Sequence, residues 1–361
     1  LFKHEATGVT LIVHVDDIMV AGDTKAATMI IEKLMTHLKT SEPECLRVAG
    51  DSISMLARTV KRTARGFVIV SDPKHAAAVI DEVGVADKKP SSFPGRKLSS
   101  EEYERLSSEP LDAEQSSRYR SCVGKLIFAS SDRFDLSFVV KELAGDIHSP
   151  NAASWLQLEY TARCLIGKGS VATVIEVDLI KGKIVPSFVE AFADSDWGGS
   201  QKTRKSTSGG LVTFGGAVMT HYSRNQATYA LSSGEAELYG SISASAEGLF
   251  VTALLTELGY QLRCRLWCDS SACLGLLQKP GVSRPMRHLQ VRFLSLQELV
   301  GSGAIIARKV DGVVNPADLG TKFPTAAMLS ELLPLCRMFL VDKGNAAALR
   351  TVHQKKVKGG G

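Results

Sequence analysis

Two aspartates, Asp16 and Asp17, interrupt an apolar, β-branched run in LIVHVDDIMVAGD, residues 11–23. Asp favours turns and the flanks read as strands, so a hairpin explains the pair. Adjacent carboxylates also suit a hard divalent cation, which takes oxygen ligands. Four more acidic residues stand downstream where chemistry competes with structure as their explanation. Asp194 interrupts the apolar strand FVEAFADSDW, where a carboxylate needs a partner. Asp269 ends the strand CRLWCD as the chain turns into a helix. It is either an N-cap or a ligand, since ligands bind at strand ends in open α/β sheets. Glu237 lies in the first turns of a long helix and Asp318 in the first turn of the final helix. Each either complements a helix dipole or faces a shared site. If the four converge, like-charge repulsion calls for cations. Two divalent ions about 4 Å apart activate a water and stabilise the leaving oxygen of a phosphodiester. Spacing alone leaves these readings open.

The elements that must position these residues are legible in outline. Residues 9–85 read as strand, turn, strand and helix, with TKAATMIIEKLMTHLKT apolar at helical spacing. GFVIVSD reads as a strand and PKHAAAVIDEVGV as a helix with Pro in its first turn and Gly near its end. Residues 86–118 are polar and rich in Ser and Pro, which predicts a linker or extended crossing segment. Residues 119–168 read as helices, one N-capped by Asn151. From about 187 to 324 the pattern is β-β-β-α-β-α-α-β-α, with Gly215–Gly216 as a hairpin turn and a capping box from Ser232 to Glu235. That order predicts an α/β domain with a mixed sheet. The tail HQKKVKGGG reads as disordered.

Composition sets the frame. The chain has 361 residues, 44% hydrophobic and 22% charged, the balance of a globular protein long enough for two or three cores. Its net charge of +5 is compatible with a polyanionic partner. Seven cysteines form no C-x-x-C pair and fit reduced, structural thiols of an intracellular protein. No apolar run reads as a membrane span, and no secretion signal is visible. The start LFKHEATG reads as a piece of a longer frame.

FADSDWGG, TRKSTSGG, RNQATYALSSGEAELYG, WCDSSACLGLL, RHLQVRFLSLQE and NPADLGTK together resemble the ribonuclease H domain of copia-type LTR retrotransposon Pol polyproteins. LIVHVDDIMVAGD resembles the catalytic hairpin of that family's reverse transcriptase, and YRSCVGKLIFASSDRFDLSFVV its connection region. The resemblance implies a partial palm and thumb over 1–105, a mostly helical connection region over 106–186 and an RNase H-like domain over 187–324. A C-terminal helix and basic tail would occupy 325–361. It implies an α/β (α+β overall) class, with an RNase H-like mixed sheet and flanking helices. Asp194, Glu237, Asp269 and Asp318 match the nuclease quartet, which would hold two Mg²⁺, or Mn²⁺, and cut the RNA strand of RNA–DNA hybrids. Asp196 and Glu235 are the register rivals of Asp194 and Glu237.

Asp16 and Asp17 match the paired polymerase aspartates, whose third carboxylate and fingers would lie before Leu1. Where the family has Tyr this chain has His14, expected as a partly buried strand residue. The implied partners are RNA–DNA hybrid, template–primer and the rest of the polyprotein, in a cytoplasmic virus-like particle or the nucleus. A hybrid is held through phosphates and 2′-hydroxyls, so cations and hydroxyls are expected near the metals. Lys202, Arg204, Lys205, Ser206, Thr207 and Ser208 follow the Asp194 strand; Arg224, Asn225 and Gln226 precede the Glu237 helix; Arg284, Arg287, His288 and Arg292 form a third group. Two rivals stand beside this reading: an inactive hybrid-binding remnant, and a full polymerase whose upstream part lies outside the chain.

Overall fold

The computed structural model describes residues 1–176, 186–279, 281 and 291–341. Arg284, Arg287, His288 and the basic tail lie outside the described residues, as does the side chain of Arg292.

Three short strands, β1 (Phe2–Lys3), β2 (Thr10–His14) and β3 (Asp17–Ala21), form an antiparallel sheet in that order. Helix α1 (Thr24–His37) follows, opened by the Asp23 carboxylate, which accepts from the Lys25 and Ala26 amides. Next come β4 (Ser52–Met55), β5 (Arg58–Thr63), β6 (Gly66–Ser71) and α2 (Lys74–Val83), which Gly84 ends in the left-handed conformation. The segment expected as a linker contains α3 (Ser100–Ser107), and α4 (Ala113–Ser130) begins inside it. Local capping overrides the Ser-rich composition there: Ser99 accepts from the Glu102 amide, and Glu101 and Glu102 sit in the first turn of α3. Helices α5 (Phe134–Gly145) and α6 (Ala152–Leu165) complete the helical region, the latter opened by a capping box of Asn151 and Ser154.

Strand β7 (Ser170–Glu176) joins β6, so β4 to β7 form an antiparallel sheet that β13 (Met338–Val341) closes at its other edge. That sheet draws on residues 52–71, 170–176 and 338–341. Helices α2, α4, α5 and α6 pack on one another around Val79, Tyr119, Leu126, Val139 and Leu158.

The last large unit is a five-stranded sheet of β8 (Phe188–Ser195), β9 (Thr207–Phe214), β10 (Ala217–Asn225), β11 (Arg263–Cys268) and β12 (Ile305–Lys309). The order is β10-β9-β8-β11-β12. The first three strands are antiparallel, whereas β8, β11 and β12 run parallel. Gly215 and Gly216, at φ +59° and +82°, make the hairpin between β9 and β10. Helix α7 (Ser233–Glu257) lies on the sheet with α8 (Ser271–Gln278) and α9 (Val291–Gly301), around Val189, Leu238, Leu266 and Phe293. On the opposite face Phe134 and Leu211 pack with α10 (Ala326–Leu335). The strands and the mixed sheet thus stand in the expected order, but the last expected helix of 187–324 is a 3₁₀ turn.

By length and composition α7 could cross a membrane, which corrects the expectation that no apolar stretch is long enough. Its Leu238, Ala244, Val251 and Leu255 are instead buried in the core on the sheet. Asp318 does not open the final helix: Pro316–Gly320 is a separate 3₁₀ turn, six residues before α10. Asn315 caps it, Pro316 fixes its first residue, and it ends at Gly320 after a single short run.

Candidate active site

Each carboxylate reaches its place by a different local device. Asp194 is the penultimate residue of β8, opposite Gly209 of β9, and is nearly fully buried. Asp269 follows the end of β11, the parallel neighbour of β8. It is not the cap of α8; the Ser270 hydroxyl is, accepting from the Cys273 amide at 3.1 Å. That leaves the Asp269 carboxylate for other work. Glu237 projects from the first turns of α7, and Asp318 from the 3₁₀ turn.

Two overlapping groups result. Asp194, Asp269 and Asp318 each offer a carboxylate oxygen within 4.8 Å of the others'. Glu237, the Cys268 thiol and Asp269 form a second set within the same span, so Asp269 belongs to both. The structure therefore brings all four sequence-identified nuclease carboxylates together and adds a sulfur that the sequence reading did not assign.

The loop that carries Asp318 is tied down. The buried Asn315 donates to the Ala193 carbonyl at 3.0 Å and accepts from the Ala317 amide at 3.2 Å. The Thr321 hydroxyl donates to Asp194. Gly209 lets the turn lie directly on β9: a Cβ there would come 2.8 Å from the Ala317 carbonyl. Lys322 pairs with Asp318 at 2.7 Å and is the cation at the edge of the group. Asn315, Thr321 and Lys322 lie in or beside NPADLGTK; the Asn-Pro step was the available signal for a cap.

Crowding shows in the proton affinities. Burial, then the charges of Asp194, Cys268 and Asp269, push Glu237 up to about 9. Burial and Asp194 push Asp318 up to about 7, against the pull of Lys322. Burial and Asp194 also raise Asp269. Glu237 and Asp318 thus hold protons near neutrality unless positive charge arrives. Partly buried carboxylate oxygens in this arrangement fit a hard divalent cation such as Mg²⁺ or Mn²⁺.

The register rivals have other partners, and neither is in either group. Asp196 accepts from the Thr207 amide at 2.6 Å. Glu235 accepts from the Leu231 amide at 2.9 Å and from the Tyr239 hydroxyl at 3.0 Å, while its own amide bonds Ser232. Asp16 and Asp17 sit on an exposed hairpin, Asp17 opposite His14. His14 is exposed rather than partly buried, as are its neighbours Ile12, Val13 and Val15. Among the described residues neither aspartate joins a convergent ligand group.

The basic and hydroxyl residues divide into two kinds. Arg204 is exposed with φ +57°, Lys202 pairs with Asp146 at 2.8 Å and Arg224 with Glu247 at 3.0 Å. Lys205 donates to the Ala227 carbonyl at 3.2 Å. Asn225 accepts from Lys141 at 3.3 Å. Ser206 and Gln226 are buried and spend their side chains internally. Ser206 accepts from the Gly198 amide, and Gln226 donates to Ser208 and to the Ala236 carbonyl in the first turn of α7. Thr207, also buried, accepts from Lys141.

Over 320 residues the chain is 26% identical to the retrovirus-related Pol polyprotein from transposon TNT 1-94 of Nicotiana tabacum, covering 87% of this chain and 23% of that protein. It is 27% identical over 318 residues to the corresponding polyprotein from transposon RE2 of Arabidopsis thaliana, covering 86% and 20%. The chain thus spans less than a quarter of the length of the curated relatives it matches. Among solved structures, the foamy viral protease-reverse transcriptase in complex with dsDNA aligns at a TM-score of 0.44 and 14% identity, over 84% of this chain and 55% of that one. No family model matches.

Proposed function

We propose that this homologue of retrovirus-related transposon Pol polyproteins is the reverse transcriptase and RNase H portion of such a polyprotein, and that it hydrolyses the RNA strand of RNA–DNA hybrids. The observation that carries the reading is the meeting of Asp194, Asp269 and Asp318 within 4.8 Å, with Glu237 joined to them through Asp269. The homologues support the family assignment; the chemistry rests on the carboxylates.

Asp194 and Asp269 would hold two divalent cations, Mg²⁺ in the first instance, with Glu237 on the side of the attacking water and Asp318 at the more weakly held ion. Ions held by these residues would supply activation of a water and charge neutralisation at the departing oxygen. The chain's own residues do the rest. Thr321 fixes the Asp194 carboxylate by donating to one of its oxygens. Asn315 locks the Asp318 turn against β8. Lys322 holds positive charge at the rim, where it draws a phosphate in and partly offsets the clustered acids.

Of the sequence-identified contact residues, Lys202, Arg204, Lys205, Arg224 and Asn225 are assigned to the nucleic-acid backbone. Ser206 and Gln226 act behind them, shaping the loop after β8 and the start of α7. Arg287 and His288 are proposed contacts on the strength of the family motif alone. Asp16 and Asp17 are proposed as inherited polymerase ligands.

The test is cleavage of a labelled RNA–DNA hybrid with Mg²⁺, beside Asp269→Asn. Cleavage lost by about a thousandfold in the variant is the expected result. A folded wild-type protein that binds hybrid without cutting it would refute the nuclease and leave a binding remnant.

A further inference from the structure

Beside the carboxylates lies a patch that the nuclease reading does not use. Trp197 is 59% exposed, Tyr229 56% and Leu231 70%. Trp197 stands three residues beyond Asp194 in the loop after β8, and the other two precede the helix that carries Glu237. The two loops are stapled together. The Trp197 indole N–H donates to the Ala230 carbonyl at 3.1 Å. The Lys205 ammonium donates to the Ala227 carbonyl and lies 5.7 Å from the centre of the Tyr229 ring. Arg204 is exposed in the same loop as Trp197.

This chemistry is selective. The indole has already spent its only hydrogen-bond donor, so Trp197 has nothing to offer a phosphate. What it presents is a fixed π surface, and a large exposed aromatic beside a site marks an interaction surface. Aromatic rings set among cations are the pattern by which proteins track a single nucleic-acid strand: bases stack on the rings and the cations follow the backbone. Paired bases in a duplex have their faces covered by their neighbours. A base can lie on Trp197 only where the strand is unpaired.

We infer that Trp197 and Tyr229, with Arg204 and Lys205, form a platform for unpaired nucleotides that adjoin the hybrid at the cleavage site. The inference rests on the nuclease reading for its substrate, and it adds a preference for hybrids with a single-stranded tail over blunt ones.

The experiment measures fluorescence anisotropy in EDTA, so that no cutting occurs. Two labelled RNA–DNA hybrids are compared, one blunt and one with a single-stranded tail, on wild type, Trp197→Ala, Trp197→Phe and Tyr229→Ala. The tail is expected to tighten wild-type binding about tenfold, as one stacked base would. Trp197→Ala should lose that gain and Trp197→Phe keep most of it, with thermal melts confirming that both fold. Tail-dependent quenching of tryptophan fluorescence in wild type but not in Trp197→Ala would support the same conclusion. A tail that adds nothing for wild type, or a gain that survives Trp197→Ala, overturns the platform. Failure here is separable from failure of the nuclease: blunt-hybrid cleavage sensitive to Asp269→Asn with no tail effect sinks only the platform, and a tail effect without cleavage sinks only the nuclease.

Discussion

Neutralising Glu237 should stabilise the metal-free protein. Its carboxyl has an ordinary value of 4.5 and is pushed up to about 9 by burial and by Asp194, Cys268 and Asp269. A carboxyl whose folded value lies above its unfolded one contributes fully below about pH 4.5, and its contribution is lost as the pH rises towards 9. Each pH unit in that window costs about 1.4 kcal/mol. By pH 8 the accumulated cost approaches 5 kcal/mol, on the order of 3 kcal/mol once partial solvent access is allowed for. Glu237→Gln keeps the shape and removes the proton equilibrium. In EDTA it should raise the melting temperature by roughly 5 °C at pH 8, and by nothing near pH 4.5. Added Mg²⁺ should then stabilise wild type at pH 8 and the variant much less, because the ion binds the ionised site. Thermal melts followed by circular dichroism at both pH values, with and without Mg²⁺, measure all of this. A variant no more stable than wild type at pH 8, or equally stabilised at both pH values, would refute the electrostatic account of the site.

Three further outcomes test the scaffold. Thr321→Val removes the hydroxyl that bonds Asp194 and should cut hybrid cleavage about tenfold, with Thr321→Ser restoring it; equal rates in all three proteins would deny Thr321 a positioning role. Asn315→Ala strips the buried tie between the 3₁₀ turn and β8 and should cost about 2–3 kcal/mol by urea unfolding, against no measurable change if the turn holds without it. His221 packs 4.9 Å from the Phe134 ring, with Ser137 at its Nδ1 and the Ser131 backbone and the buried Arg133–Asp135 pair nearby. Burial lowers it from 6.5 to about 4, so its contribution is intact above pH 6.5 and is lost as the pH falls towards 4. That loss is about 2.5 kcal/mol by pH 4.5, and it should be absent in His221→Gln when stability is followed by urea titration at pH 7 and pH 4.5.

Much of the site was legible because its residues break local rules. A carboxylate in the apolar strand FVEAFADS has no structural excuse, and Asp269 directly precedes a better cap, Ser270. The finer choices needed boundaries that a sequence pattern gives poorly. Asp194 and Asp196 have the parity of one strand face, but β8 ends at Ser195, so Asp196 turns into the loop and bonds Thr207. Glu235 and Glu237 are two residues apart on a helix and so point to nearly opposite sides. Only the position of the Ser232 cap says which one looks back at the chain entering the helix and which faces the sheet. Asp318 looked like a helix start because Asn-Pro opens a 3₁₀ turn and an α-helix with the same letters. Strands β5 and β7 escaped notice for another reason. RTVKRT is charged, and both strands gain their place by pairing on either side, β5 between β4 and β6 and β7 between β6 and β13, with the β6–β7 contact spanning about a hundred residues.

The hydroxyls and amides show where chemical type misleads about role. Ser206 and Gln226 carry the groups that a nucleic-acid interface needs, and they stand beside cations in the sequence. Yet each is buried: Ser206 closes the loop after β8 by accepting from the Gly198 amide, and Gln226 ties β9 to the start of α7. Asp194 stands on β8, the neighbour of β9, and Glu237 on α7, and their repulsion when both are ionised pushes strand and helix apart. A buried amide holding Ser208 and Ala236 together resists that separation directly. The acidic group is therefore braced by neutral hydrogen bonds that tie β9, the neighbour of the Asp194 strand, to the helix that carries Glu237. The surface left for the substrate is the rim formed by the exposed Arg204, the half-buried Lys205 and the two exposed aromatic rings.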